Sequence, residues 1–344
     1  MKSIFRKILL LIITIIMIFV LIKWDLIQYG WQQAKGQFSI MFHAEPLDYY
    51  LESPTYPDSL KQKIKLVDEV KKFAQSELGF DSEDQYIKMF DQHGKELMWV
   101  VTAAYPYQME SYEWKFPILG KVAYKGFFVK KEALKLEQEL KTKGFDVRLR
   151  TASAWSTLGW LNDPLLSNVL NYSSGRLAEL IFHELTHDEI FIKDSVDFNE
   201  NLASFFGQEF TKMFFEKQNG KFETEYESYL NQLEDRHHLN QFIRDYLPKF
   251  DSLYKKIEGL SITEKENRKY YFMEGFKKKL RQINFKNSKY TEFLNSEVEV
   301  NNAFLLSYKR YSGHQQLLEQ ELETQFEGDI LKMLDFYQKN FNSL

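Results

Sequence analysis

His183-Glu184-Leu185-Thr186-His187 is the stretch on which the reading of this chain turns. Residues four apart on an α-helix lie one above the other on the same face. Both imidazoles can therefore reach one metal ion, with Glu184 standing beside a water on that metal. The flanking residues predict the helix: Ser173-Ser174 can cap its start, and Leu177, Ala178, Leu180, Ile181, Phe182 and Leu185 give it enough apolar surface to be buried on more than one side. A catalytic zinc takes three protein ligands and keeps a fourth position open. The candidate third ligand is Glu200, in the helical pattern that begins Asp197-Phe198-Asn199-Glu200, with the small residues Ala203 and Gly207 on its own face where the two helices could press together. Glu200 also fits a capping box, with Asp197 as the N-cap. His43, His93, His237, His238 and His314 lie far away in sequence.

Three blocks of the chain resemble the bacterial predicted zinc aminopeptidases of the gluzincin type. The central block runs from Ala154-Trp155-Ser156-Thr157-Leu158-Gly159-Trp160 through the HELTH segment to Phe198-Asn199-Glu200 with Ala203 and Gly207. Upstream, Trp114-Lys115-Phe116-Pro117 and Tyr124-Lys125-Gly126-Phe127-Phe128 are similar to the family's W-x-F-P and Y-x-G-Y-F stretches, and downstream Asn301-Asn302-Ala303 with Tyr308 and Tyr311 is similar to its N-N-A segment. Asp188, Asn201, Leu202 and Lys125 depart from the family pattern without removing a ligand. The resemblance implies zinc held by His183, His187 and Glu200, with Glu184 as the base. It also implies a helix-rich α+β fold: a gluzincin-like metallopeptidase core, a small β region beside the zinc helix and a helical C-terminal part.

The N-terminus bears on location. After Lys2, Arg6 and Lys7, an uncharged apolar run extends from Ile8 to Ile22 and is closed by Lys23-Trp24. As a helix it spans about 22 Å, slightly short of a roughly 30 Å hydrocarbon core, and Ile4, Phe5, Leu26 and Ile27 can extend it. No small-residue cleavage site precedes Gly30, so the expectation is an uncleaved single-span anchor over residues 1–27, with the catalytic part on the extracytoplasmic side. Absence of cysteine excludes a disulfide framework. Net charge is −4, with 45 basic and 49 acidic residues interleaved, which leaves no stripe to follow a phosphate backbone and excludes nucleic acid as a partner.

Beyond the anchor, periodicity predicts a helical segment over residues 28–80, an α+β catalytic region over 81–215 and a helical region over 216–344 packed on the site. Helices are expected over Gln28–His43, Asp58–Leu78 and Lys130–Lys143, the last two stopped by Gly79 and Gly144. Tyr86–Phe90 and Leu97–Ala103 flank Asp91-Gln92-His93-Gly94 as a hairpin signal, Lys121–Phe128 reads as one strand and Asp146–Thr151 as another. Tyr308 is the candidate donor to a developing oxyanion, with packing as its alternative role. Glu179 and Asp163 are candidates to face a substrate α-ammonium group, Tyr124 and Asn199 are candidate neighbours of the site, and the Trp99–Ala103 strand could pair with an extended peptide. The expected function is a membrane-anchored zinc aminopeptidase acting on peptides. An endopeptidase of the same fold and a non-catalytic envelope protein are the alternatives.

Overall fold

A computed structural model describes residues 5–7, 10, 14, 17, 23–116, 120–152, 164–193, 195–295 and 299–341. From Trp24 onward the elements are α1 (Trp24–Phe42), β1 (Glu45–Pro46), α2 (Leu47–Glu52) and α3 (Asp58–Phe73), which runs into a π-turn over Ala74–Leu78. Gly79 closes that turn at φ 72°, a left-handed conformation that glycine adopts without a Cβ penalty. The β region follows: β2 (Lys88–Phe90), β3 (Trp99–Ala104), β4 (Trp114–Phe116), β5 (Gly120–Val122) and β6 (Lys125–Phe127), then α4 (Lys130–Thr142), β7 (Asp146–Thr151) and β8 (Leu165–Leu166). Helices complete the chain: α5 (Ser174–Glu189), α6 (Val196–Glu216), α7 (Glu223–Ile257), α8 (Ile262–Leu280), α9 (Ser288–Asn295), α10 (Asn302–Ser312), α11 (Gln315–Gln325) and α12 (Ile330–Asn340). Pro248 lies inside α7, which continues through it.

Several expectations need correction. The 86–90 and 97–103 strands do not form a hairpin: β2 pairs antiparallel with β1 and parallel with β8, whereas β3 is the centre of a separate antiparallel sheet in the order β6-β3-β7. The intervening turn does form, with positive φ at His93 and Gly94. Its polar groups bind elsewhere, however. Gln92 N donates to Ser167 Oγ at 2.8 Å and Asn168 N to Gln92 Oε1 at 3.1 Å, which draws the turn onto the lead-in to α5. The 121–128 segment is divided between β5, which pairs with β4, and β6, which pairs with β3.

The membrane anchor is also corrected. Among the described residues no helix is long and apolar enough to cross a membrane, and most of the Ile8–Ile22 run lies outside them. Helix α1 interrupts its apolar residues with Gln28, Gln32, Gln33, Lys35 and Gln37, so it lacks the continuous apolar surface that a hydrocarbon core demands. Part of its length is tied to the β region instead: Tyr29 donates to Gly126 O at 2.9 Å, and Lys125 Nζ lies 4.3 Å over the Tyr29 ring.

Helix α5 is the centre of the main core. Leu177, Ala178, Ile181, Phe182 and Leu185 are buried against α3 on one side and α6 on another. Phe73, Phe182, Phe206, Phe210 and Phe214 pack ring to ring where the three helices meet, and each such buried ring contributes about 1.5–3 kcal/mol. Helices α11 and α12 return to this core through Leu318, Met333, Leu334 and Tyr337, while α7, α8 and α10 build a second one around Phe250, Phe276 and Phe304.

The α5–α6 contact is closest at Gly207. A Cβ there would stand 3.0 Å from Glu179 O, 3.3 Å from His183 N and 3.4 Å from His183 Cβ. The crowded atoms belong to the α5 backbone, which cannot swing aside, and a valine adds two further carbons to that Cβ, so Gly207→Val is expected to destabilise the protein by about 1–3 kcal/mol, read as a lower urea midpoint with an unchanged m-value.

Candidate metal centre

Ser173 caps α5 by accepting from Arg176 N at 3.3 Å. Helical spacing then brings His183 and His187 onto one face, with their Nε2 atoms 3.2 Å apart. Glu200 comes from the start of the second turn of α6 and points at both, its Oε2 3.5 Å from His183 Nε2 and its Oε1 3.8 Å from His187 Nε2. One ligand atom from each residue lies within 4.8 Å of the others. Two nitrogens on one tetrahedral zinc, with bonds of about 2.0–2.1 Å, stand about 3.3 Å apart. The donor set therefore fits such an ion. Its side chains keep 14–25% of their exposure, enough for solvent to reach them. The capping-box reading of Glu200 is set aside: α6 starts at Val196, its N-cap is Ser195, and Asp197 lies within the helix.

Burial pushes the His187 imidazole down to about 4, and the neighbouring His183 acts in the same direction. Burial also disfavours a charged His183, but the bond to Glu200 and the charges of Glu184 and Glu200 outweigh it and raise that imidazole. Ser204 Oγ lies 3.4 Å from His183 Nδ1, where it steadies the ring. The position of Ser204, one turn after Glu200, makes it recoverable from helical spacing.

Neighbouring polar residues hold the two helices in place. Asn199 clamps the connecting loop, accepting from Ile192 N at 3.0 Å and donating to Ile192 O at 2.8 Å. This places the residue immediately before Glu200 in the scaffold. Asn201 is fully buried; its Oδ1 accepts from His314 N at 3.0 Å and its carbonyl accepts from Gln315 Nε2 at 2.8 Å. Glu179 does not await a substrate ammonium group. It accepts both arms of Arg236 at 2.7 and 2.8 Å, Arg176 at 2.7 Å and the Tyr229 hydroxyl at 3.1 Å. Arg236 lies far along α7, where no local pattern links it to Glu179.

The Trp99–Ala103 strand is not an edge for an incoming peptide, because β6 and β7 occupy both of its sides. Asp163 and residues 153–160 of the central block lie outside the described residues. Tyr124 is 37% exposed. Tyr308 lies on α10, which packs against α6, with its ring 5.0 Å from Phe304. The two asparagines before it serve the scaffold: Asn301 Nδ2 donates to Val147 O, and Asn302 Nδ2 reaches the carbonyls of Tyr105, Pro106 and Gln108 while its Oδ1 accepts from Tyr254. A separate cleft of about 320 Å³, walled by Tyr107, Asp146, Glu266, Lys269 and Tyr270, contains none of the metal-site donors.

The model of a family described as "Putative aminopeptidase" matches residues 28–340. No curated protein and no solved structure matches the chain.

Burial alone would raise the Glu179 carboxyl, but Arg236 and Arg176 outweigh it and hold the group at about 2 against an ordinary 4.5. A depressed folded value means that this contribution to stability is complete above about 4.5 and is lost as pH falls toward 2. Glu179→Gln leaves the buried Arg236 uncompensated and is expected to cost about 3–5 kcal/mol at pH 7. Denaturant titrations at pH 7 and pH 3 should show a smaller pH dependence in the variant than in the parent.

Proposed function

The chain belongs to that aminopeptidase family, and on this premise we propose that it is a zinc exopeptidase releasing residues from the amino termini of peptides. His183, His187 and Glu200 would hold the metal, and Glu184 would act as general base. The observation that supports this reading is the convergence of two imidazole nitrogens 3.2 Å apart on one carboxylate, at tetrahedral spacing and within reach of solvent. Zinc bound there would supply a Lewis acid to polarise the scissile carbonyl and to acidify a water.

The protein's own residues do the rest. Glu184 shares α5 with both histidines and is near enough to act on the charge of His183; its carboxylate takes the proton of the attacking water and delivers it to the leaving amine. Ser204 fixes the orientation of His183. Burial pushes the Tyr308 phenol up to about 12, against the pull of Arg148. The phenol thus stays protonated at working pH, and in this reading it donates to the oxyanion that develops on the substrate.

Glu184→Gln is expected to retain zinc and to lower kcat by about 10²- to 10⁴-fold, whereas His187→Ala loses zinc and activity together. Metal analysis and turnover on the same preparations separate these outcomes, and full turnover by Glu184→Gln overturns the assignment. Matched peptides with free and acetylated amino termini test the exopeptidase reading, in which acetylation abolishes cleavage.

A further inference from the structure

Helix α1 has two faces of opposite character. Tyr29, Gln33, Gly36 and Ile40 recur every three or four residues and turn inward. Tyr29 Oη and Gln33 Nε2 donate to Gly126 O at 2.9 and 3.2 Å, Ile40 is buried, and a Cβ on Gly36 would run into the Phe128 ring. At 3.6 residues per turn, Trp24, Ile27, Trp31, Ala34, Phe38 and Met41 fall within one arc of about 100° on the other side. Ala34 and Met41 are half-buried, whereas Trp24, Ile27, Phe38 and above all Trp31, at 72%, are exposed. Phe42, 80% exposed, stands at the edge of the arc and stacks on Phe38. A continuous apolar patch of this size marks an interaction surface.

The spacing along that face runs three, four, three, four, three. This is the 3.5-residue repeat of a seam between two paired helices, narrower than the face a helix turns to a globular core. Side-chain volumes then identify the partner. When α1 is laid antiparallel on a second copy of itself, Trp24 meets Met41, Ile27 meets Phe38 and Trp31 meets Ala34. A two-fold axis repeats every contact, so three pairs give six layers. The bulkiest residue near the middle of the helix thus faces the smallest. Parallel pairing would set Trp31 on Trp31 and Ala34 on Ala34, crowding one layer and leaving a void in the next. Beside the antiparallel seam Gln28 lies across from Lys35 and Gly30 from Gln37, so no like charges meet. The exposed parts of Trp24, Ile27, Trp31, Phe38 and Phe42 come to roughly 600 Å² per copy, taking about 200 Å² for a whole aromatic side chain. A standard interface takes about 800 Å² from each partner, and Ala34, Met41 and the flanking stems supply the difference.

We propose that the outer face of α1 is a self-association surface, on which a second copy of this chain docks its own α1 in the antiparallel sense. The proposal is independent of the reaction the protein performs.

The first test is sedimentation velocity of the full chain over a range of concentrations. A species of twice the 41.2 kDa chain mass is expected, and Trp31→Glu should raise its dissociation constant about 30- to 1,000-fold. Trp31 is exposed in the single chain, so the variant should keep the parental helix content by circular dichroism. A second test needs no disruptive substitution. The chain has no cysteine, so Ile27→Cys and Phe38→Cys can be introduced singly and together. In the antiparallel pair each position stands about 16 Å along the axis from its own mate, beyond the roughly 7 Å between Cα atoms that a disulfide spans. Under mild oxidant the double variant should therefore give a covalent dimer and the single variants none. A chain that stays monomeric up to about 100 µM overturns the proposal. Vesicles of phosphatidylcholine and phosphatidylglycerol that then capture it, and capture Trp31→Glu less, would assign the face to a lipid surface. A dimer that Trp31→Glu leaves intact also overturns the proposal, as does a covalent dimer formed by either single-cysteine variant.

Discussion

Everything at the candidate metal centre depends on how closely two helices can approach. His183 and His187 are on α5 and Glu200 is on α6, so the three donors meet only if the helix backbones run side by side with almost nothing between them. Gly207 provides this: with no side chain, it lets the α6 backbone come within van der Waals contact of His183. The phenylalanines of α3, α5 and α6 fill the space on the far side of the contact, pressing the pair together from behind. A donor set is useful to a metal only when its geometry is held within a few tenths of an ångström, and here a dense apolar core provides that restraint.

The polar residues around the centre divide the work in a way that their chemistry alone would not suggest. Glu179 has the charge and the helix position of a substrate ligand, yet its carboxylate is consumed by Arg236, Arg176 and Tyr229. That cluster locks α5 to α7. A buried ion pair adds little net stability but makes the loss of either partner costly, so it fixes one packing arrangement over others. Asn199, Asn201 and Asn302 act similarly on the backbone, each side-chain amide saturating main-chain groups that a loop would otherwise leave unpaired.

The legible features were the locally encoded ones. The cap at Ser173, the helical spacing of the two histidines, the small faces of Ala203 and Gly207 and the stops at Gly79 and Gly144 all lie within a few residues of what they determine, and β7 spans the range that its alternation implies. Strand pairing was not legible. β1 and β8 are only two residues long, too short to show a period, and β2 finds its parallel partner far along the chain. The turn at Asp91–Gly94 is chemically sound; what decided against a hairpin was the set of hydrogen bonds to Ser167 and Asn168, from another part of the sequence. The same limit hid Arg236, because an ion pair between distant helices leaves no spacing to read.

Helices α11 and α12 complete the core that surrounds α5, and Gln338 donates to the same Glu189 carboxylate that accepts from Asp81 N. The first and last parts of the fold therefore share one hydrophobic interior. During synthesis, α5 and α6 leave the ribosome with much of their apolar surface uncovered and remain so until more than a hundred further residues have followed. Long-range closure of this kind slows folding and lengthens the interval in which a nascent chain can stick to others. The architecture thus makes assembly of the two donor helices a late event, completed when α12 docks.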